Sequence, residues 1–276
     1  MSKSKGNVVT PNDLLVEHSS DAVRYWAASA RLGTDAAFDT GQMKIGRRLA
    51  IKVLNAAKFV LSFEAPSESA KATEPIDQSL LLNLAQVVTD ATAAFDAYDH
   101  TKALELTEKF FWNFTDDYLE LVKERAYGQG GFNADEQASA LVALRTSLLT
   151  LLRLFAPFLP FATDEVWSWW QTNSGSIHRS SWPTAKELES GLDATNADLL
   201  PLASQALFGT RKAKSDAKAS MKADVTSAVM TAPAGVLERL EVLSRDLKAA
   251  GRIGALTFAA ADEIAITEVV LAPAAE

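Results

Sequence analysis

From Lys44 to Val60, Ile45, Leu49, Val53, Ala56 and Val60 recur at three- and four-residue steps. Lys44, Arg47, Arg48, Lys52, Asn55 and Lys58 fill the spaces between them. At 100° per residue the polar set falls within roughly 140° of arc, opposite the apolar set. The pattern predicts an amphipathic helix over about 41–62. Upstream, Thr10-Pro11-Asn12-Asp13 reads as a helix start, with Thr10 as N-cap. Ser20-Asp21 caps a second helix that Gly33 is expected to end.

Beyond a Pro/Ser-rich linker at 63–75, helical periodicity runs from Asp77 to Tyr127 with a break near Tyr98-Asp99-His100. Gly128-Gln129-Gly130-Gly131 is a loop. Asp135 to Ala156 then forms a helix apolar nearly all round, as in the middle of a bundle. Pro157 and Pro160 end it, and Thr163-Asp164-Glu165 is expected to cap a short helix bearing Trp167, Trp169 and Trp170. A helix from Leu199 to about Met221 follows. Next come a strand near Val225–Thr231, a helix from Pro233 to Ala250, and two strands, Ile253–Phe258 and Glu263–Leu271. The expected fold is mainly α, a helical bundle with a small C-terminal α/β module. Its expected parts are 1–40, 41–190 and 191–276.

At 276 residues and 48% hydrophobic, the chain can bury a substantial core. Zero cysteines exclude disulfides and thiolate metal sites and fit a reducing, cytoplasmic setting. The three histidines show no ligand spacing, so no metal site is expected. No apolar run is expected to reach membrane-spanning length, and the first thirty residues do not make a signal peptide.

Net charge is −8, which argues against a generic nucleic-acid binder. The positive charge is nevertheless concentrated. Lys44–Lys58 holds five basic residues and no acid; Arg211–Lys222 holds five with only Asp216. A row of lysine and arginine on one helix face can follow a polyanion and release its counterions. Solvated helix faces usually mix both signs. Lys44, Arg47, Arg48, Lys52, Asn55 and Lys58 are therefore expected to contact RNA. If their segment is helical, Arg211, Lys214, Ser215, Lys218 and Lys222 share a second face; contact there and an exposed helix are equally open. Phe110, Phe111, Trp112 and Tyr118, at helical spacing, are expected to pack rather than stack on bases.

The first seven residues, Met1-Ser2-Lys3-Ser4-Lys5-Gly6-Asn7, alternate flexible cations with hydroxyl donors ahead of a turn-permitting glycine. Read alone they suit either a solvated tail or a loop that closes over a polyphosphate. The order Met-Ser-Lys-Ser-Lys-Gly-Asn resembles the KMSKS signature of the class I aminoacyl-tRNA synthetases. Val8-Val9-Thr10-Pro11 and Asp21-Ala22-Val23-Arg24-Tyr25-Trp26 resemble that family's continuation. Ala30-Arg31-Leu32-Gly33-Thr34-Asp35 through Phe38-Asp39 is most similar to its valine-specific branch, with the leucine, isoleucine and methionine branches near. The likeness runs on, more loosely, to about Pro183.

The resemblance implies ATP as a substrate of the whole enzyme and tRNA, valine-specific, as partner. It implies that Lys3 steadies the α- and β-phosphates, with Ser2, Ser4 and Lys5 shaping the ATP-binding loop. It implies anticodon reading by the bundle. The family's signature falls late in its chains, and no His-x-Gly-His motif is present here. The expectation is thus a C-terminal portion, without catalytic and editing domains, inactive alone. Ser19-Ser20 stand where the family usually has Gly-Ala. The alternatives are a free-standing helical RNA- or protein-binding module, an inert fragment, or the equivalent part of an isoleucine or leucine enzyme.

Overall fold

The computed structural model describes residues 11–35 and 37–273, so the Lys3 loop and Thr10 lie outside the described residues. The fold is mainly α with one small sheet, and it divides into two units. One comprises Met1–Ser62, Val87–Lys109 and Leu148–Thr184; the other comprises Phe63–Gln86, Phe110–Ser147 and Ala185–Glu276.

In the first unit, α1 (Pro11–His18) and α2 (Ser20–Ala28) precede α3 (Thr40–Leu61), the expected amphipathic helix. The Asp39 carboxylate caps α3 by accepting the Gly41 N–H at 2.7 Å. Met43, Leu49, Val53, Ala57 and Val60 bury its inner face. α2 stops at Ala28 instead of running to Gly33, which sits in a later turn at φ 78°. The Thr101 hydroxyl lies 3.1 and 3.2 Å from the carbonyl oxygens of Ala28 and Ala30, a tertiary alternative to further helical bonds. Between α1 and α2, Ser19 holds φ 84° and ψ 159°, a region that is essentially glycine's.

Four helices follow in chain order: α4 (Pro75–Asp96), α5 (His100–Asn113), α6 (Leu119–Ala126) and α7 (Ala134–Phe155). α7 is, against expectation, long and apolar enough to cross a membrane by length and composition. Its apolar stretch is 67% buried within the fold, which makes it a core helix. α8 (Pro160–Trp170) begins at Pro160. Thr163 and Asp164 do not cap it as predicted. Thr163 Oγ donates back to the Leu159 carbonyl at 2.9 Å, while Asp164 accepts from Ser176 Oγ and the Ile177 N–H at 2.7 and 3.0 Å.

In the second unit, a π-helical turn at Phe114–Tyr118 joins α5 to α6. After α9 (Ala185–Glu189) and α10 (Leu199–Asp216) come β1 (Val225–Ala232), α11 (Ala234–Glu241), α12 (Ser244–Gly251), β2 (Ile253–Ala260) and β3 (Ala265–Leu271). The expected single helix over 233–250 is two, because the chain tightens at Leu243, whose N–H bonds the Leu240 carbonyl at 3.0 Å. Both leucines are thereby buried. β1 is central in the order β2-β1-β3, parallel to β2 with Val225 beside Ile253 and antiparallel to β3. The two helices supply the crossover that parallel pairing requires.

Arg125, 1% exposed, anchors this unit. Its guanidinium donates to both oxygens of Asp77 at 2.7 and 2.9 Å and to Asp246 Oδ1 at 3.2 Å. Tyr118 and Ser139 also donate to Asp77, at 2.7 and 2.6 Å. Burial pushes the Asp246 carboxyl up to about 6, against the pull of Arg125. A buried charge is tolerable only when its remaining hydrogen-bond capacity is met, as it is for Asp77.

Candidate nucleic-acid interface

The outer face of α3 carries Lys44, Arg47, Arg48, Asn55 and Lys58 exposed, with Lys52 half-buried among them. Ile51, 47% exposed, lies on the same face. From Lys44 to Lys58 the row runs on the order of 20 Å. Among the described residues, Lys44, Arg48 and Lys58 form no ion pair. Arg47 Nη1 donates to the main-chain oxygen of Glu17 at 2.7 Å. A helix pinned along its inner face thus holds a row of cations in fixed register.

What pins it is partly chemistry that sequence reading missed. Asp21, 4% exposed, accepts the N–H groups of Phe161 and Ala162 at 3.1 and 2.7 Å. Rather than capping its own helix, it caps α8 from across the fold. Burial raises its pKa, and those two backbone bonds oppose the rise. Three residues on, Arg24 Nη2 donates to the Pro157 carbonyl at 2.9 Å. The Asp-Ala-Val-Arg segment therefore clamps the corner at 157–162. No local pattern reveals this, because the partners are more than 130 residues away.

The description "Anticodon-binding domain of tRNA ligase" matches residues 77–229, and "tRNA synthetases class I (I, L, M and V)" matches residues 1–39. The chain belongs to the tRNA-ligase anticodon-binding family. Among curated relatives, the valine–tRNA ligase of Leifsonia xyli subsp. xyli (strain CTCB07) is 57% identical over 281 residues, covering 100% of this chain and 32% of the relative. Those of Salinispora arenicola (strain CNS-205) and Thermobifida fusca (strain YX) are each 54% identical, over 98% and 99% of this chain and 33% and 31% of theirs. The chain thus spans about a third of the length of these relatives.

Within this chain the second basic face does not form. α10 ends at Asp216, and Lys218 and Lys222 follow in turns. Lys214 is 2% exposed and donates to the main-chain oxygens of Gly251 and Met221 at 2.9 and 3.3 Å. Burial lowers its pKa, and Arg252 adds to the effect. Arg211 pairs with Asp117 at 2.7 Å and also donates to the Asp116 carbonyl. The aromatic run is packing: Phe110, Phe111 and Tyr118 are buried, and Trp112 lies edge-on to Phe111 at 6.0 Å.

Proposed function

We propose that this chain is the tRNA-gripping part of a valine–tRNA ligase and that the outer face of α3 lies along the sugar–phosphate edge of the tRNA. The observation that carries this is the set of unpaired cations Lys44, Arg48 and Lys58 on one exposed helix face of a chain with net charge −8. Kinship with valine–tRNA ligases supports valine tRNA as the partner. In the whole enzyme, Lys3 of the signature loop would hold the α- and β-phosphates of ATP as charge builds on the departing pyrophosphate, with Ser2, Ser4 and Lys5 shaping the loop. Anticodon reading is assigned to the bundle as a whole and to no single side chain.

Titration with a valine tRNA transcript across a salt series tests the reading. Binding should weaken steeply with salt, by about 0.7–0.9 in log–log slope for each phosphate neutralised. Preference for valine tRNA separates this reading from that of a general RNA-binding module. These 276 residues alone should show no valine-dependent ATP–pyrophosphate exchange, because positioning the reacting groups needs an amino-acid and adenosine site. Absence of tRNA binding at low salt would overturn the proposal.

A further inference from the structure

Between α1 and α3 lies an open groove of 680 Å³ with chemically unlike walls. Lys44, Arg47 and Arg48 bring positive charge to it, while Ile45 and Ile51 add apolar wall. His18, in the last turn of α1, lines the groove as well and is 3% exposed. Its Nε2 is shut off from solvent and, among the described residues, has no hydrogen-bond partner. Leaving such an atom unpaired costs free energy, so its place beside three cations calls for a ligand. The Glu17 carboxylate stands 3.5 Å from that nitrogen, and its side chain is 69% exposed. Among the described residues, that carboxylate is the one anion lining the groove.

Taken with the proposed tRNA contact, on which this rests, the arrangement has a direct reading. We infer that the groove seats one phosphodiester of the bound RNA, and that Glu17 occupies the anion's place until the RNA displaces it. Lys44 and Arg48 supply charge to the incoming phosphate. His18 Nε2, uncovered as Glu17 swings out, donates a hydrogen bond to it. The adjoining ribose or base rests on Ile45 and Ile51, which no polar ligand would need. Arg47, bonded to the Glu17 carbonyl, keeps α1 against α3 while the side chain moves. Glu17 thereby acts as a built-in competitor: weakly bound small anions fail to eject it, and a polyanion held along the whole face succeeds.

The test compares wild type with Glu17→Gln, His18→Phe, His18→Gln and Lys58→Ala by filter binding to valine tRNA, with thermal unfolding to check that each variant folds. Glu17→Gln should tighten binding several-fold, on the order of one removed repulsion at short range. His18→Phe fills the same space without the ring nitrogen and should weaken binding about 10-fold. His18→Gln keeps an N–H donor and should recover much of the loss. Lys58, outside the groove, reports on the face alone. If Lys58→Ala weakens binding while the Glu17 and His18 variants bind within about twofold of wild type, the groove inference fails and the wider reading stands. If wild type shows no salt-dependent binding, the wider reading itself fails. Inorganic phosphate distinguishes the source of the ligand. The His18 ring resonances should shift on addition of tRNA and hardly at all with millimolar phosphate. The opposite result would make the groove a small-anion site and overturn the inference.

Discussion

Tyr25 lies so close over Gly46 that a β-carbon on the glycine would come within 2.6 Å of the tyrosine's own β-carbon. The ring is held there from its far end, because its hydroxyl donates to Glu108 at 2.7 Å. Burial, together with the Glu108 carboxylate, keeps that hydroxyl protonated far above the usual range. α2 and α3 can therefore approach only where α3 has no side chain, and Gly46 sits between Lys44 and Arg47 on the helix that carries the cations.

Gly46→Ala should force α2 and α3 apart. Its gain in helix propensity, up to about 1 kcal/mol, is smaller than the overpacking cost of about 1–3 kcal/mol. Net destabilisation in urea unfolding, with weaker tRNA binding, is the expected result. Unchanged stability would show that the crossing relaxes freely.

Ser19→Gly should stabilise the chain by about 1 kcal/mol or more, since it relieves a residue held at φ 84° and ψ 159°. Ser19 makes no side-chain capping bond in return. The measurement is the urea midpoint of the variant against wild type. A lower midpoint would contradict the assigned backbone conformation.

Asp246 gives stability a definite pH dependence. Its folded pKa, about 6, lies above the ordinary carboxylate value, so the folded state holds a proton that the unfolded state releases. Its contribution is complete below about pH 4 and is lost as pH rises through 6. Glu74 and Asp21, also raised by burial, act in the same direction. Wild type should lose on the order of 1–3 kcal/mol relative to Asp246→Asn between pH 4 and pH 7. Parallel pH profiles for the two proteins would remove the argument.

Lys214 and Arg48 should separate stability from binding. Lys214→Ala leaves the buried Gly251 carbonyl without its donor and should cost about 2–4 kcal/mol, with the salt slope of tRNA binding unchanged. Arg48→Ala should do the reverse, lowering the slope by about 1 and leaving stability within about 0.5 kcal/mol. A slope change in the Lys214 variant would restore α10 as a contact.

Local order was readable where one element's own periodicity decides its environment. α3 begins within a residue or so of its predicted start, and its cationic and apolar faces separate as the spacing requires. The strands of the C-terminal module also lie where their apolar runs predicted. The failures occurred where a distant partner decides. Lys214 reads as an exposed cation until α12 closes over it. Asp21 reads as the cap of its own helix until α8 presents two free N–H groups. Arg125 and Asp246 are 121 residues apart, and neither has a neighbour in sequence that announces burial. Thr101 ends α2 from 71–73 residues away. Charge pattern alone could not separate Arg211 and Lys214, engaged with their own protein, from Lys44–Lys58.

Because α3 is unbroken for 22 residues, its row of cations behaves as a rigid comb. One extra amino acid inserted after Leu49 would rotate everything downstream by about 100°. Lys52 would then take the buried place of Val53, and Val53 and Val60 would leave the inner face. Length changes should therefore be lethal within this comb and harmless in the irregular stretch after Ser62, so the spacing of its teeth is as much a part of the grip as their charge.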